Sequence, residues 1–168
     1  MAYYWHAGRF EEAKRTYQEA LARKEDRWTL HASRFAVAFL EGDTTEMDHQ
    51  LSLVAGKPGE GALLSAQGDV EAFSGHLAKA REFSQRAIES AQHAEATEDA
   101  ATNQMKASLR EVEFGNGSLV HNEAASALTR SSTTSIHILA APALARAGDS
   151  DRAQKMCDDL QKKTRSTP

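Results

Sequence analysis

Small and apolar side chains recur at fixed distances after five glycines. The glycines are separated by 34, 33, 40 and 33 residues: Gly8, Gly42, Gly75, Gly115 and Gly148. A small or apolar residue stands five positions after each glycine (Ala13, Met47, Ala80, Val120, Ala153) and another twelve positions after it (Ala20, Val54, Ala87, Ala127, Leu160). Seven residues are two helical turns, so both positions share one helix face. The pattern predicts a helix after each glycine, with a small face that another helix can approach closely.

A third position, nine residues after each glycine, is less regular. It carries Tyr17, Leu51, Ser84, Ala124 and Cys157. The first two are bulky, and we expect Phe83 to take the buried place of Ser84 by a slight rotation of the helix. Cys157 has no partner for an internal disulfide, and we interpret it as a small residue on a helix face.

A second set of helices is predicted before the glycines, at 28–41, 60–74, 98–114 and 134–147, with a remnant at 1–7. In the predicted helix 28–41, the buried stripe is expected to consist of Trp28, His31, Phe35, Ala38 and Phe39. Pro142 lies inside the last one and should kink it or remove a hydrogen bond. Each glycine is expected to end its helix with a positive φ. The 40-residue interval is seven residues longer than the 33-residue intervals, and seven residues are about two helical turns. Because the run from Ala87 to Ala100 contains no Gly or Pro, we expect longer helices there rather than a longer loop.

Composition agrees with an all-α protein, because the chain has only five Val and three Ile. The net charge is −4, whereas a nucleic-acid-binding surface needs a stripe of basic residues, so we expect no nucleic-acid partner. The apolar runs are too short for membrane insertion and no signal peptide is visible. We therefore expect a cytoplasmic location, with an extracytoplasmic one left open.

Residue patterns for catalysis are missing. The seven histidines include no His-Glu-x-x-His spacing, and they are spread over the five repeats, which argues against a metal site. Adjacent acids such as Asp158 and Asp159 diverge around a helix, so they cannot share one acid–base site. We expect no enzymatic activity and no cofactor.

The segment 8–21 (GRFEEAKRTYQEAL) resembles the second half of a tetratricopeptide repeat, and 77–80 (LAKA) and 145–149 (ARAGD) are similar to the same family. The resemblance implies a right-handed α–α superhelix, a solenoid of about five repeats. These are expected at 1–26, 27–59, 60–97, 98–132 and 133–165, within one domain over 1–168 that is truncated at both ends. Four segments also resemble the repeats that follow the kinase domain of certain bacterial serine/threonine kinases: 20–24, 40–44, 55–60 and 110–116. That narrower resemblance implies a regulatory or docking module of a larger signalling protein, without a kinase domain of its own.

In such arrays the helices before the glycines line the concave side. The groove residues expected from this register are Trp5, Phe39, Asp69, Phe73, Leu109, Glu113 and Arg146. We expect them to bind a protein or peptide, although the aromatic residues among them can equally be core. A clamp for a terminal carboxylate is disfavoured, because Ala32, Ser33, Ala36, Ala62 and Ala66 stand where its donors would be. A ligand-sensing module and an arm that self-associates through the truncated ends remain open alternatives.

Overall fold

The computed structural model describes residues 7–165, apart from the side chain of Thr164. Within this part the chain forms nine α-helices and no strand. They are α1 (Phe10–Ala22), α2 (Trp28–Glu41), α3 (Thr44–Val54), α4 (Glu60–Phe73), α5 (Leu77–His93), α6 (Thr97–Glu113), α7 (Gly117–Arg130), α8 (Thr134–Arg146) and α9 (Ser150–Arg165). The four complete helices predicted before the glycines are confirmed to within one residue at each end. The predicted remnant at 1–7 lies almost wholly outside the described residues.

Four of the five repeated glycines form the same turn. Gly42, Gly75, Gly115 and Gly148 have φ between +72° and +94°. In each case the glycine N–H donates to the carbonyl three residues back, and the next N–H donates to the carbonyl five residues back. This is the glycine-ended helix terminus that the sequence predicted. The ends of α1 and α5 use the same geometry with Lys24 and Glu95, at φ +60° and +56°.

The chain divides into two compact units, one up to Leu64 and one from Ser65 onward. In the first unit α2 packs against α1 and α3. Its buried side chains include Tyr17, Phe35, Val37, Met47 and Val54.

In the second unit α6 packs against α5, α7 and α8, and α8 also packs against α7 and α9. The contact of α6 with α8 joins two helices that occupy equivalent places in successive repeats. Met105, Val120, Ile136 and Leu144 form the centre of the core, together with many alanines. This is the packing of a helical repeat.

The small-residue pattern is largely confirmed. All five residues at the fifth position are buried, and so are Val54, Ala87 and Ala127 at the twelfth, while Ala20 and Leu160 are half-buried. The predicted lengthening is also confirmed, because α5 and α6 each have 17 residues.

Two burial predictions are wrong. Ser84 itself is buried, where its hydroxyl donates to the carbonyl of Ala80, and Phe83 stays half-buried with Arg86 stacked over its ring at 5.1 Å. Trp28 is exposed rather than part of the buried stripe, because it is the first residue of α2 and lies against the backbone of Gly59.

Candidate functional site

An exposed row of side chains lies at the carboxyl ends of α4, α6 and α8 in the second unit. Phe73, Glu113 and Arg146 each stand two residues before the glycine that ends their helix. Phe73 is 82% exposed, and more than half of the Glu113 and Arg146 side chains is exposed. We call these three residues the C-terminal row. A phenylalanine exposed to this degree beside two exposed charges is a candidate contact for a partner.

Ion pairs join the equivalent helices of successive repeats near this row. Arg146 donates to Glu113, which joins α8 to α6. Arg110 Nε lies 2.7 Å from Asp69 Oδ1, which joins α6 to α4 about one turn before the row. Glu113 and Arg146 are therefore in contact, and Phe73 lies one helical turn beyond the Asp69–Arg110 pair.

Arg110 is the largely buried anchor of this arrangement. Only 11% of its side chain is exposed, and its Nη1 donates to Ser84 Oγ at 2.5 Å and to the carbonyl of Ala80 at 3.5 Å. Room for the guanidinium comes from Gly68, where a Cβ atom would stand 2.9 Å from Nη1. One side chain thus ties α4, α5 and α6 together.

A second buried charge fixes α5 to α6. The Glu111 carboxylate, almost fully buried, accepts two hydrogen bonds of 2.7 Å from Arg81 and one of 2.9 Å from Asn116. The hydrogen bonds from Arg81 lower the pKa of Glu111, against the opposing effect of burial. A bidentate pair of this kind holds both helices in a fixed rotation.

Beside these charges lies a cleft of 330 Å³ between α5, α6 and α7. Its walls combine apolar Leu77, Ile88 and Leu119 with the charged groups of Arg81 and Glu123. The charged groups already have partners, because Arg81 binds Glu111 and Glu123 accepts a 2.7 Å hydrogen bond from Ser108. These pairs are anchored on the buried Glu111 and Ser108, unlike the exposed Glu113–Arg146 pair, so we assign the cleft a structural role.

The first unit contains a chain of polar groups that resembles an acid–base relay. Asp26 Oδ1 lies 2.6 Å from His31 Nε2, and the other ring nitrogen of His31 faces Gln50 Oε1 at 2.7 Å and the Tyr17 hydroxyl at 3.3 Å. The hydroxyl is unsuited to act as a nucleophile, because Tyr17 is only 3% exposed and burial raises its pKa. The cleft beside Asp26 and Trp28, of 440 Å³, gives no access to it.

The structure places the predicted groove residues in different environments. Asp69, Phe73, Glu113 and Arg146 are exposed, with Asp69 bound to Arg110 and Glu113 bound to Arg146. Phe39 is half-buried in α2, and Leu109 packs partly against the core of the second unit. Trp5 lies outside the described residues.

The sequence reasoning missed Arg81, Arg110 and Glu111. One pattern could have revealed part of this network: an acid four residues before the glycine and a polar donor one residue after it. This pairing occurs as Glu111 with Asn116 and as Glu71 with His76, whose ring nitrogen lies 3.0 Å from the Glu71 carboxylate.

Over residues 7–165, His, Cys, Asp and Glu side chains form no group that would hold a metal ion. In the same range, no helix combines the length and the apolar character needed to cross a membrane.

Comparison of the chain with models of protein families, with curated proteins and with solved structures found no match.

Proposed function

We propose that this chain is a non-catalytic scaffold of tetratricopeptide-type repeats, wound as a right-handed superhelix, that binds a segment of another protein. On this proposal it serves as a regulatory or docking module of a larger bacterial signalling protein. The repeat period of 33–34 residues, the recurring glycine turns and the contact between α6 and α8 support it.

The observation that carries the proposal is the C-terminal row. A strongly exposed phenylalanine and an exposed ion pair stand at the carboxyl ends of helices that are joined by Arg110 and by the ion pair itself. Such a row combines an apolar side chain with two exposed charges of opposite sign. Grooves that bind helical or extended peptides use this combination, since apolar contacts provide affinity and charges set the orientation.

The partner we expect is an amphipathic peptide segment. It places an aliphatic or aromatic side chain on Phe73 and a basic and an acidic residue against Glu113 and Arg146. The two alternatives predicted from the sequence, a ligand-sensing module and a self-associating arm, make no specific use of this row.

The test is capture of proteins from a lysate of the source cells by the 168-residue chain, compared with Phe73→Asp. Leu119→Asp is the matched control, because Leu119 is an exposed apolar residue on α7, outside the row. Circular dichroism checks that each variant stays helical. A partner lost with Phe73→Asp and retained with Leu119→Asp supports the proposal, whereas equal capture by both variants contradicts it.

A charge exchange sharpens the test. The double variant Glu113→Lys/Arg146→Glu keeps the ion pair between α6 and α8 but reverses its direction. We expect weaker capture despite unchanged helicity, because the partner's charges then face like charges. Unchanged capture would show that the Glu113–Arg146 ion pair does not take part in partner recognition.

A further inference from the structure

One side of α8 and α9 exposes apolar side chains to solvent. Ile138 is 57% exposed, and Pro142 and Ala145 of α8 and Cys157 of α9 are exposed as well. Positions 138, 142 and 145 follow one another at four and three residues, so they share one side of the helix. We call these four residues the α8–α9 face.

The preceding repeat shows what such a face does when a helix covers it. A shift of 33 residues, the distance between their glycines, places Met105 of α6 on Ile138. The same shift places Ala124 of α7 on Cys157. Met105 and Ala124 are fully buried, and α8 packs against both α6 and α7. The α8–α9 face therefore repeats a surface on which a helix packs.

The helix that covers the equivalent surface is α8 itself. It contributes four fully buried side chains to the shared core: Ile136, Ala140, Ala143 and Leu144. Small side chains in the middle of this stripe allow a close approach, and the larger ones at its ends provide apolar contact. Because Ile138 is similar in size to Met105, a helix with the same kind of stripe fits the α8–α9 face.

Charge indicates what flanks that stripe in the partner. The segment 134–165, which contains α8 and α9, has six basic and four acidic residues, whereas the remainder of the chain has fourteen basic and twenty acidic residues. Arg146 is more than half exposed and follows Ala145 of the face, and the last turn of α9 contains Lys162, Lys163 and Arg165. A second copy of the chain would bring two positively charged faces together, whereas an acidic helix would meet opposite charge.

The repeat also indicates where the acidic residues are needed. Glu113 of α6 pairs with Arg146, the residue at the same distance from the next glycine. A helix seated on the α8–α9 face in the way that α8 is seated on α6 and α7 brings its own residue at that position to Arg146. Because α9 runs back along α8 from the turn at Gly148, the basic last turn of α9 lies toward the start of the bound helix. Acidic residues in a first turn are also favoured by the helix dipole.

We propose that the α8–α9 face binds an amphipathic helix of a partner protein, parallel to α8, with a small apolar stripe and with acidic residues in its first and last turns. The apolar part of this site is separate from Phe73 of the C-terminal row, so the two surfaces can be tested independently.

The probe is a labelled synthetic peptide of residues 133–148 with four changes: Thr134→Glu, Ser135→Glu, Pro142→Ala and Arg146→Glu. The alanine removes the helix-breaking proline. The control peptide also has Pro142→Ala, but it has lysine at positions 134 and 135 and keeps Arg146. Binding of each peptide to the 168-residue chain is measured by fluorescence anisotropy. We expect the acidic peptide to bind about tenfold more tightly than the control, and equal affinities would overturn the proposal.

Three variants of the chain locate the peptide: Ile138→Asp, Leu40→Asp and Phe73→Asp. Leu40 is the matched control, since it is 51% exposed on α2 in the first unit. We expect Ile138→Asp alone to weaken peptide binding, by about tenfold, while circular dichroism shows that each variant keeps its helices. Weaker binding in all three variants, or in none, would contradict the proposal.

Cys157 is the single cysteine of the chain and tests how the peptide is seated. Acidic peptides carrying Ala140→Cys or Ile138→Cys are incubated with the wild-type chain under thiol–disulfide exchange. In α8 the side chain at 140 faces the core and the one at 138 faces solvent, so the Ala140→Cys peptide should form the mixed disulfide faster. Equal rates would overturn the proposed orientation of the bound helix.

Sedimentation equilibrium of the chain alone tests a second copy as the occupant. We expect a monomer at the concentrations of the peptide titration. A dimer that Ile138→Asp dissociates would assign the α8–α9 face to a second copy and overturn the proposal.

Discussion

Replacing Gly68 by alanine tests the close approach of α4, α5 and α6 that holds the C-terminal row in register. Gly68 lies inside α4, where alanine is normally the better residue. Its added Cβ would stand 2.9 Å from Arg110 Nη1 and 3.3 Å from the carbonyl oxygen of Ala80. Either Arg110 moves away from Asp69 and Ser84, or α4 moves away from α5.

Two opposing terms set the expected magnitude. Glycine to alanine in a helix interior stabilises by about 1 kcal/mol. Crowding a packed interface costs about 1–3 kcal/mol. Because the crowded atom belongs to a largely buried, ion-paired side chain, we expect the crowding to win. Gly68→Ala should lower the free energy of unfolding by up to about 2 kcal/mol.

The assay is a double-mutant cycle in urea, followed by circular dichroism. In an Arg110→Ala background the nearest atom is gone, so the same Gly68→Ala change should stabilise by about 0.5–1 kcal/mol. The coupling between the two positions is then about 1–3 kcal/mol. If Gly68→Ala stabilised both backgrounds equally, the close packing at Arg110 would be refuted.

Three further predictions follow from single contacts. Glu111→Gln should weaken the pH dependence of the free energy of unfolding in acid. Arg81 lowers the pKa of Glu111, so the stability that the carboxylate provides is present above the ordinary value of 4.5 and is lost as pH falls through the lowered value. An unchanged pH dependence in acid would contradict this. Leu144→Ala should cost about 2–5 kcal/mol in urea unfolding, since Leu144 is fully buried, and exposed Leu119→Ala far less; equal costs would refute the core assignment. Pro142→Ala should raise the unfolding midpoint, because Pro142 is exposed inside α8 and lacks an N–H for the turn before it; a lower midpoint would show that the proline is required.

Most of the helix pattern could be predicted because it follows from short-range chemistry. The glycine spacing predicts where the chain turns between helices, and the small residues five and twelve positions after each glycine predict which face of the following helix is buried. The turns at Lys24 and Glu95 escaped prediction, since neither residue type favours a positive φ and only the helices on either side impose it.

The candidate site was predictable only in part. Phe73, Glu113 and Arg146 follow from their register before a glycine, yet the side chain that aligns their helices, Arg110, carries no pattern of its own. Its position depends on Gly68 of α4, two helices and 42 residues earlier, and such long-range complementarity has no local signature. The buried His31 likewise looked like an ordinary core residue until Asp26 and Gln50 were placed against its ring.

The most direct test of the scaffold proposal is site-specific photo-crosslinking from position 73 in the source cells. Phe73 is replaced by p-benzoylphenylalanine, and the control carries the same group at Leu119. The account predicts that a defined peptide segment of another protein is crosslinked at position 73 and not at 119. Crosslinks of equal yield at both positions, or none at 73, would contradict it.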